Sequence, residues 1–354
     1  MDQSAARILN TCRPTRTLYS VVMKVYALGV NSAFATGEYQ RTVRLDEAKK
    51  ILNDAVTEKK VSIGALIKKL ESAARNTYEP RWQSNFVLEF SQNDSVYRLV
   101  LDFGSDFRHS LKGSGFSLAD IHGYYCSHPH ADHIGGIEGI ALSHIFNPYF
   151  RKGKVDWLKN SLTGEMDIVA KKLANGEQVP AEFKPDLFGH RSVLNEVWSA
   201  ARAGLETIQG VPDVNLQTYF NVNFMQDNKP MRMVDGERYW DIYTVVSVHV
   251  NAGYRQMPAY GLMMTSSDGK VIFMPTDTQF MTPRQVSMYY EKADFIFQDC
   301  ETGPRSDVHP HIDDLKTLPE SIRKKCILYH YAEPPAITDG EFAGILRTGD
   351  VHEF

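Results

Sequence analysis

Short segments rich in β-branched and aromatic residues recur along the chain between polar turns, a pattern typical of β-strands. Seven such segments occupy residues 18–28, 81–90, 96–104, 121–126, 239–250, 293–298 and 325–329. Residues 260–265 and 270–274 predict a hairpin around Asp268-Gly269, and residues 340–346 predict an edge strand. The chain is therefore expected to be organised around β-sheets.

Helical spacing of the apolar residues interrupts this strand pattern in two places. Residues 41–75 predict two helices, which we assign to an inserted hairpin at about residues 38–79. A second region, about residues 141–236, predicts helices at 158–173 and 193–208 between proline-containing loops. We interpret it as a larger helical insertion that forms a lid over the site or a dimer contact. Residues 1–354 are then one domain with two insertions.

The composition is that of a soluble globular protein, with 43% hydrophobic and 23% charged residues in 354. A net charge of −4 disfavours non-specific binding to nucleic acid, which needs a basic surface. No apolar run reaches the ~18 residues that span a bilayer, and the N-terminus lacks a signal-peptide pattern. We therefore expect a cytoplasmic protein without membrane contact. The four cysteines have no C-x-x-C spacing, so they indicate neither a disulfide framework nor a thiolate metal site.

The segment from Cys126 to Gly136 concentrates side chains that bind metals. Its four candidate ligands lie within six residues and are His128, His130, Asp132 and His133. A predicted strand precedes this segment, so the candidates lie on a loop that leaves a strand end, where sites are commonly built. Imidazole and carboxylate together suit zinc and its neighbours in the first transition series. A chance cluster of surface histidines is the alternative, although three of the chain's 12 histidines fall in this short window.

Further candidates follow later strands. His249, Asp277 and His330 each lie at or just after the end of a predicted strand. A single histidine in such a place is more often a hydrogen-bonded polar residue than a ligand, but three suitable residues in succession favour a metal site. Asp102 ends the third strand, where it is either a cap or the acceptor that orients a ligand histidine.

The pattern His-x-His-x-Asp-His after a strand resembles the signature of the metallo-β-lactamase-fold hydrolases. Shorter segments that resemble the same proteins occur in the corresponding order along most of the chain. They are residues 29–34, 83–86, 102–111, 260–262, 276–278, 299–301, 308–315 and 329–331. The resemblance is to phosphodiesterases of this fold, the group that contains tRNase Z and the anti-Pycsar cyclic-nucleotide phosphodiesterases of phages.

This resemblance implies an α/β (α+β) fold, a four-layer αββα sandwich with two metals at one edge between its sheets. It implies that one metal is held by His128, His130 and His249. It assigns the other metal to Asp132, His133 and His330. Asp277 would bridge the two, and Asp132 would count among the catalytic residues as well. We expect two divalent ions, zinc first with manganese or iron as alternatives, and the resemblance also implies a homodimer.

A leaving alkoxide needs a proton, and His309 is our candidate general acid because an imidazole can release a proton near neutral pH. Glu301 is expected to hold or tune it. His311 is the competing candidate, and in the alternative interpretation both histidines only cap the helix that begins near Asp313. Low-ranking candidates for contact with the substrate are His311, Arg255 and Tyr260.

The leading functional hypothesis is hydrolysis of a 3′,5′-cyclic nucleotide, or a related cyclic nucleotide signal, to a linear nucleotide. If a phage encodes the protein, such an activity would oppose a host's cyclic-nucleotide immune signal in the host cytoplasm. A tRNase Z-like RNA endonuclease is the first alternative, and only there is nucleic acid a partner. It would bind tRNA with an affinity that falls steeply with salt. A hydrolase of another ester, such as a lactone, and a non-enzymatic metal-stabilised binding protein are the remaining alternatives.

Overall fold

Two seven-stranded sheets contain the strands of the computed structural model, which describes residues 22–33, 50–54, 65–66, 81–92, 95–146, 184–235 and 238–354. Most of the predicted insertion at 38–79 and the predicted helix at 158–173 lie outside these residues. Where the chain is described, no helix is both long enough and apolar enough to cross a membrane.

The first sheet has the strand order β14-β1-β2-β3-β4-β5-β6. Its strands are β1 (Val22–Gly29), β2 (Asn85–Gln92), β3 (Ser95–Leu101), β4 (Gly123–Tyr125), β5 (Asp186–His190), β6 (Asn221–Met225) and β14 (Val351–Glu353). The strands from β14 to β3 pair antiparallel, whereas those from β3 to β6 pair parallel.

The second sheet has the order β13-β12-β11-β10-β9-β8-β7. Its strands are β7 (Met231–Asp235), β8 (Arg238–Ser247), β9 (Ala259–Ser266), β10 (Val271–Thr276), β11 (Phe295–Asp299), β12 (Cys326–Tyr329) and β13 (Gly344–Ile345). Antiparallel pairing from β7 to β10 gives way to parallel pairing from β10 to β13.

Helices cover the outer face of each sheet. They are α1 (Phe107–Gly113), α2 (Ala131–Ile134), α3 (Ile137–Phe146), α4 (Arg191–Leu205), α5 (Leu216–Tyr219), α6 (Pro283–Gln285), α7 (Ile312–Leu315) and α8 (Glu320–Arg323), with π-helical Val286–Tyr290 after α6. Apolar residues of α1 to α5 pack on the first sheet, and residues of α7, α8 and the π-helical turn pack on the second. The four layers predicted from the sequence are thus confirmed.

Alternation along the central strands explains the layers. In β2, Phe86 and Leu88 point into the core between the sheets, whereas Val87 joins the core beneath the helices of the first sheet. In β9, Leu262 and Met264 enter the same central core from the opposite sheet. Both faces of each central strand are therefore buried, as a sandwich with outer helices requires.

The prediction of a helical insertion at 141–236 is wrong for residues 186–235. Residues from Asp186 onward contribute β5, β6 and β7 to the two sheets, and α4 covers the first sheet instead of forming a separate lid. Each of these three strands has only five residues, and β6 places Asn221 and Asn223 at a sheet edge, so none of them carries a long apolar alternation. The three-residue strand β14 also escapes prediction from the sequence because of its length.

The strands that lead into Asp102 and the predicted ligands deliver their C-terminal ends to one edge of the sandwich. In the first sheet these are β3 and β4, which are parallel; in the second they are β8, β10 and β12, since two antiparallel steps restore the direction of β8 in β10. At this edge the backbone is left-handed at three non-glycine residues, with φ of 60° at Asp102, 58° at Thr276 and 62° at His330. Such conformations cost ~1–3 kcal/mol each and cluster where function requires a fixed side-chain direction.

Candidate metal centre

Three histidine nitrogens converge at the shared edge of the sandwich. His130 Nδ1 lies 3.1 Å from His128 Nε2 and 3.1 Å from His249 Nε2. His128 and His130 come from the loop after β4, and His249 comes from the segment after β8. His128 and His249 are fully buried, and burial lowers the pKa of His249 to about 4. This group therefore presents neutral imidazole lone pairs to one point, as a metal ion requires.

A second group lies beside the first. His133 Nε2 is 3.3 Å from Asp132 Oδ2 and 3.1 Å from Asp277 Oδ2. His330 Nε2 lies 3.4 Å from the same Asp277 oxygen. All four residues of the group are buried, and their ligand atoms are close enough to share one ion.

Asp277 connects the two groups. Its Oδ2 atom is 3.8 Å from the Nε2 atoms of both His128 and His249, in addition to its contacts with the second group. The residue is 1% exposed and follows Thr276, whose left-handed backbone turns the carboxylate toward the centre. The structure thus gathers all seven predicted ligands and places Asp277 between the two sets. Their assignment as ligands stays a prediction.

The charge balance fits bound cations. Burial by itself lowers the pKa of the His133 imidazole, but the surrounding carboxylates, with Asp277 the strongest, hold that pKa well above its usual value. The carboxylates therefore favour a positive charge at the position of the His133 proton, and a bound cation would supply that charge instead. His133 Nε2 and Asp277 Oδ1 are also buried without a hydrogen-bond partner among the described residues. Unpaired buried polar atoms are costly, and a divalent ion would satisfy both.

Asp102 orients ligands of both groups. Its Oδ2 lies 2.7 Å from His133 Nδ1 and accepts a 2.7 Å hydrogen bond from the Ser127 hydroxyl, while its Oδ1 accepts from the Ser127 amide at 2.9 Å. Ser127 Oγ in turn lies 2.9 Å from His128 Nδ1. Of the two roles considered for Asp102, the structure shows the histidine acceptor. Its carboxylate fixes the ring orientation of one histidine directly and of another through a serine.

Two further contacts hold ligand histidines and have no counterpart in the sequence analysis. Ser84 Oγ lies 2.9 Å from His330 Nδ1 and donates to the Asn31 carbonyl at 3.1 Å. His249 Nδ1 lies 2.9 Å from the carbonyl of Val308. The only sequence signal for Ser84 was its place in the matched segment 83–86, because a hydroxyl or a carbonyl has no diagnostic spacing.

The candidate acid His309 faces the centre with a different partner from the one expected. Its Nδ1 lies 3.0 Å from Asp299 Oδ2, and its Nε2 lies 4.0 Å from Asp277 Oδ2. The Glu301 carboxylate instead accepts the amide of Ser306. Asp299 therefore holds His309 in place of Glu301, whose charge makes only a smaller contribution to raising the pKa of His309. Asp299 ends β11 and is fully buried, whereas Glu301, two residues later, is only half-buried.

Burial by itself lowers the pKa of His309. The hydrogen bond to Asp299 and the charge of Asp277 outweigh burial and raise this pKa to about 9, whereas burial raises the pKa of Asp299 to about 7. The pair therefore retains a proton on His309 at neutral pH. His309 also forms a third possible ligand group with His249 and Asp277, so its nitrogen is close enough to bind a metal itself.

The three predicted substrate contacts have other partners in the structure. His311 Nδ1 accepts the Asp313 amide at 3.3 Å, so this histidine is the N-cap of α7, as the alternative interpretation had it. Arg255 forms an exposed ion pair with Glu196. Tyr260 is the second residue of β9 and lies next to the loop that carries His128, where its amide donates to the Ser127 carbonyl at 3.0 Å.

We expect Asp102→Asn to weaken metal binding by about 10- to 100-fold, the usual effect of removing the partner of a ligand histidine. Asparagine tolerates the left-handed backbone at this position, so the fold should be retained. Metal affinity measured by competition with a chelator tests this. Asp213→Asn is the matched control, since Asp213 is exposed and also left-handed, with φ of 51°. Equal metal affinities in both variants would contradict the role of Asp102.

Known proteins resemble this chain in sequence and in fold. The family model described as "Anti-Pycsar protein Apyc1" matches residues 71–176 and 168–351. The anti-Pycsar protein Apyc1 of Bacillus phage 010DV004 is 24% identical over 258 residues, which cover 71% of this chain and 83% of that protein.

Two solved structures share the fold. The metallo-β-lactamase fold protein YhfI from Bacillus subtilis aligns with a TM-score of 0.51 at 15% identity, over 94% of this chain and 100% of that one. The short form of human tRNase Z aligns with a TM-score of 0.50 at 12% identity, over 93% and 98%. The metallo-β-lactamase fold is thus confirmed.

Proposed function

This chain belongs to the Anti-Pycsar protein Apyc1 family, and from that premise we propose that the substrate of this metal-dependent phosphodiesterase is a 3′,5′-cyclic nucleotide. The reaction would open the cyclic phosphate to a linear nucleotide. The relatives are named anti-Pycsar proteins, which supports a role against a cyclic-nucleotide immune signal.

The observation that carries this proposal is the position of His309 beside Asp277. The buried Asp277 carboxylate lies within 4.0 Å of Nε2 of His128 in the first ligand group, of His133 in the second and of this additional histidine. Cations held by the seven ligands would polarise the phosphoryl oxygens and lower the pKa of water. A protonated imidazole at their side is what a poor alkoxide leaving group needs.

The chain's own residues would orient and protonate the substrate. Water would add to phosphorus with loss of one proton to solvent, and the bond from phosphorus to a ribose ester oxygen would break. That oxygen would take the proton from His309 Nε2, which solvent would then replace. Asp299 holds Nδ1 at 3.0 Å, which points Nε2 at the centre and stabilises the proton until transfer. Asp102 and Ser84 keep their histidines in the orientation that binding requires.

Zinc as the resident ion and a homodimer remain part of the proposal. The chemistry of nitrogen and carboxylate ligands supports zinc, with manganese and iron as the alternatives. The tRNase Z-like alternative shares the ligand set, but the net charge of −4 does not favour the binding of RNA, whose phosphates are negatively charged.

A substrate screen tests the proposed function. Protein loaded separately with zinc, manganese or iron, with metal content measured on each sample, is incubated with cyclic mononucleotides, cyclic oligonucleotides, a tRNA precursor and a lactone. We expect ring opening of at least one cyclic nucleotide and no trimming of the precursor. Cleavage of the precursor alone would establish the RNA-processing alternative, and hydrolysis only of a lactone would establish the other-ester alternative.

A further inference from the structure

A small partly exposed surface adjoins the metal centre without contributing a predicted ligand. It consists of His190, Tyr260 and Val246, and we call it the aromatic patch. The rings of His190 and Tyr260 stack with centroids 4.2 Å apart and an angle of 22° between their planes. Val246 pairs with Tyr260 across β8 and β9, and it is 48% exposed although it lies in the sheet.

All three residues lie at the edge that carries the metal ligands. His190 ends β5, which runs parallel to β4, and β4 leads into His128. The Tyr260 amide is bonded to the carbonyl of Ser127, the residue before His128. Val246 precedes His249 by three residues. The patch therefore borders the first ligand group.

The patch is held rigidly. The Tyr260 carbonyl accepts a 2.9 Å hydrogen bond from the Tyr125 hydroxyl. Both the amide and the carbonyl of Tyr260 are therefore hydrogen-bonded to the segment that leads into His128. His190 caps α4, since its Nδ1 accepts the Ser192 amide at 3.3 Å and lies 2.7 Å from the Ser192 hydroxyl. A pre-ordered aromatic surface loses little conformational entropy when a ligand binds.

We propose that the aromatic patch binds the nucleobase of the substrate by stacking, with Tyr260 as the principal contact. This inference rests on the proposed function, which places a nucleotide phosphate at the metal centre. A planar, largely apolar base attached to that phosphate needs an adjacent apolar surface, and the patch is one that borders the ligands. Stacking tolerates any base because each has a π-face, so the patch selects nucleotides over simple phosphodiesters rather than one base over another.

Tyr260→Leu tests the proposal because it removes the aromatic face and keeps apolar bulk. Stacking of the base contributes equally before and during the reaction, so KM rises while kcat is retained. We expect KM for a cyclic mononucleotide to rise about 5- to 150-fold, the range for the loss of one base stack. The kinetics on a base-free substrate, 1-deoxyribose 3′,5′-cyclic phosphate, should not change.

Two further variants separate stacking from folding. Tyr260→Phe keeps the ring and should restore the KM. His190→Asn keeps the cap of α4, since asparagine is a good N-cap, but removes the supporting ring, and should raise KM in the same direction. Tyr239→Leu is the matched control, because this half-buried tyrosine contacts Arg232 at the opposite end of β8.

The outcomes distinguish the patch from the function it serves. An unchanged KM in Tyr260→Leu, or equal losses of kcat/KM on the nucleotide and the base-free substrate, would contradict the base-binding role of the aromatic patch. Neither result would contradict the proposed function. If the wild-type protein opens neither cyclic substrate, the proposed function itself fails, and the base-binding role fails with it.

Discussion

Replacing Asp277 with asparagine is expected to abolish turnover almost completely. The side chain keeps its shape but loses the charge that lies between the two ligand groups, with His133 at 3.1 Å and His128 and His249 at 3.8 Å. Electrostatic stabilisation by bound metals supplies several kcal/mol, and each 1.36 kcal/mol is tenfold in rate, so kcat/KM should fall at least about a thousandfold. Steady-state kinetics measures the loss of turnover, and the metal content of the same sample shows whether an ion is lost with the charge.

A second buried carboxylate serves as the control. Asp241 is 8% exposed and forms a 2.6 Å ion pair with Arg232 in β7. Asp241→Asn should lower thermal stability while it retains the metal content and kcat of the wild-type protein. An Asp277→Asn protein that keeps full metal content and wild-type activity would refute the bridging role.

His309→Gln is expected to lower kcat on the cyclic nucleotide by about 10²- to 10⁴-fold, the usual contribution of a general acid. Metal content should stay unchanged, because His309 is placed with Asp299 rather than in either ligand group. The loss should be much smaller on bis(p-nitrophenyl) phosphate, whose leaving p-nitrophenolate needs no proton. The ratio of the two losses therefore reports proton donation specifically.

His311→Asn is the matched control for this experiment. Asparagine retains the cap of α7, and we expect kinetics close to the wild type. A fall in the metal content of His309→Gln would instead show that the third group of His249, Asp277 and His309 binds an ion. Equal losses of kcat on both substrates would contradict the role of His309 as a general acid.

The ligands were predictable because their positions follow from strand direction. His128 to His133 follow a strand of the first sheet, and a histidine or aspartate after a strand of the second sheet reaches the same edge of the sandwich when both strands end at that edge. Asp277 and His330 satisfy that condition, and the structure brings them to the centre. The central strands were predictable for a related reason, since continuous burial leaves long apolar segments.

Partner choice at the site was not predictable in the same way. Asp299 and Glu301 are two residues apart and both acidic, so only the depth at which β11 ends decides which carboxylate meets His309. Ser84 and Asn31 come from separate segments and hold His330 through a hydroxyl and a backbone carbonyl. The strands β5 to β7 were assigned to an insertion because strands of only five residues do not stand out from loops.

The metal centre draws on both halves of the sandwich, the loop of His128 to His133 from one sheet and His249, Asp277 and His330 from the other. Ions bound there would hold the two sheets together along one rim. At a free ion concentration 100 times the Kd, each site would add about 2.7 kcal/mol to the free energy of unfolding. The abundance of the protein in a cell would then follow its metal supply, because a starved population would unfold more often and meet proteases in that state.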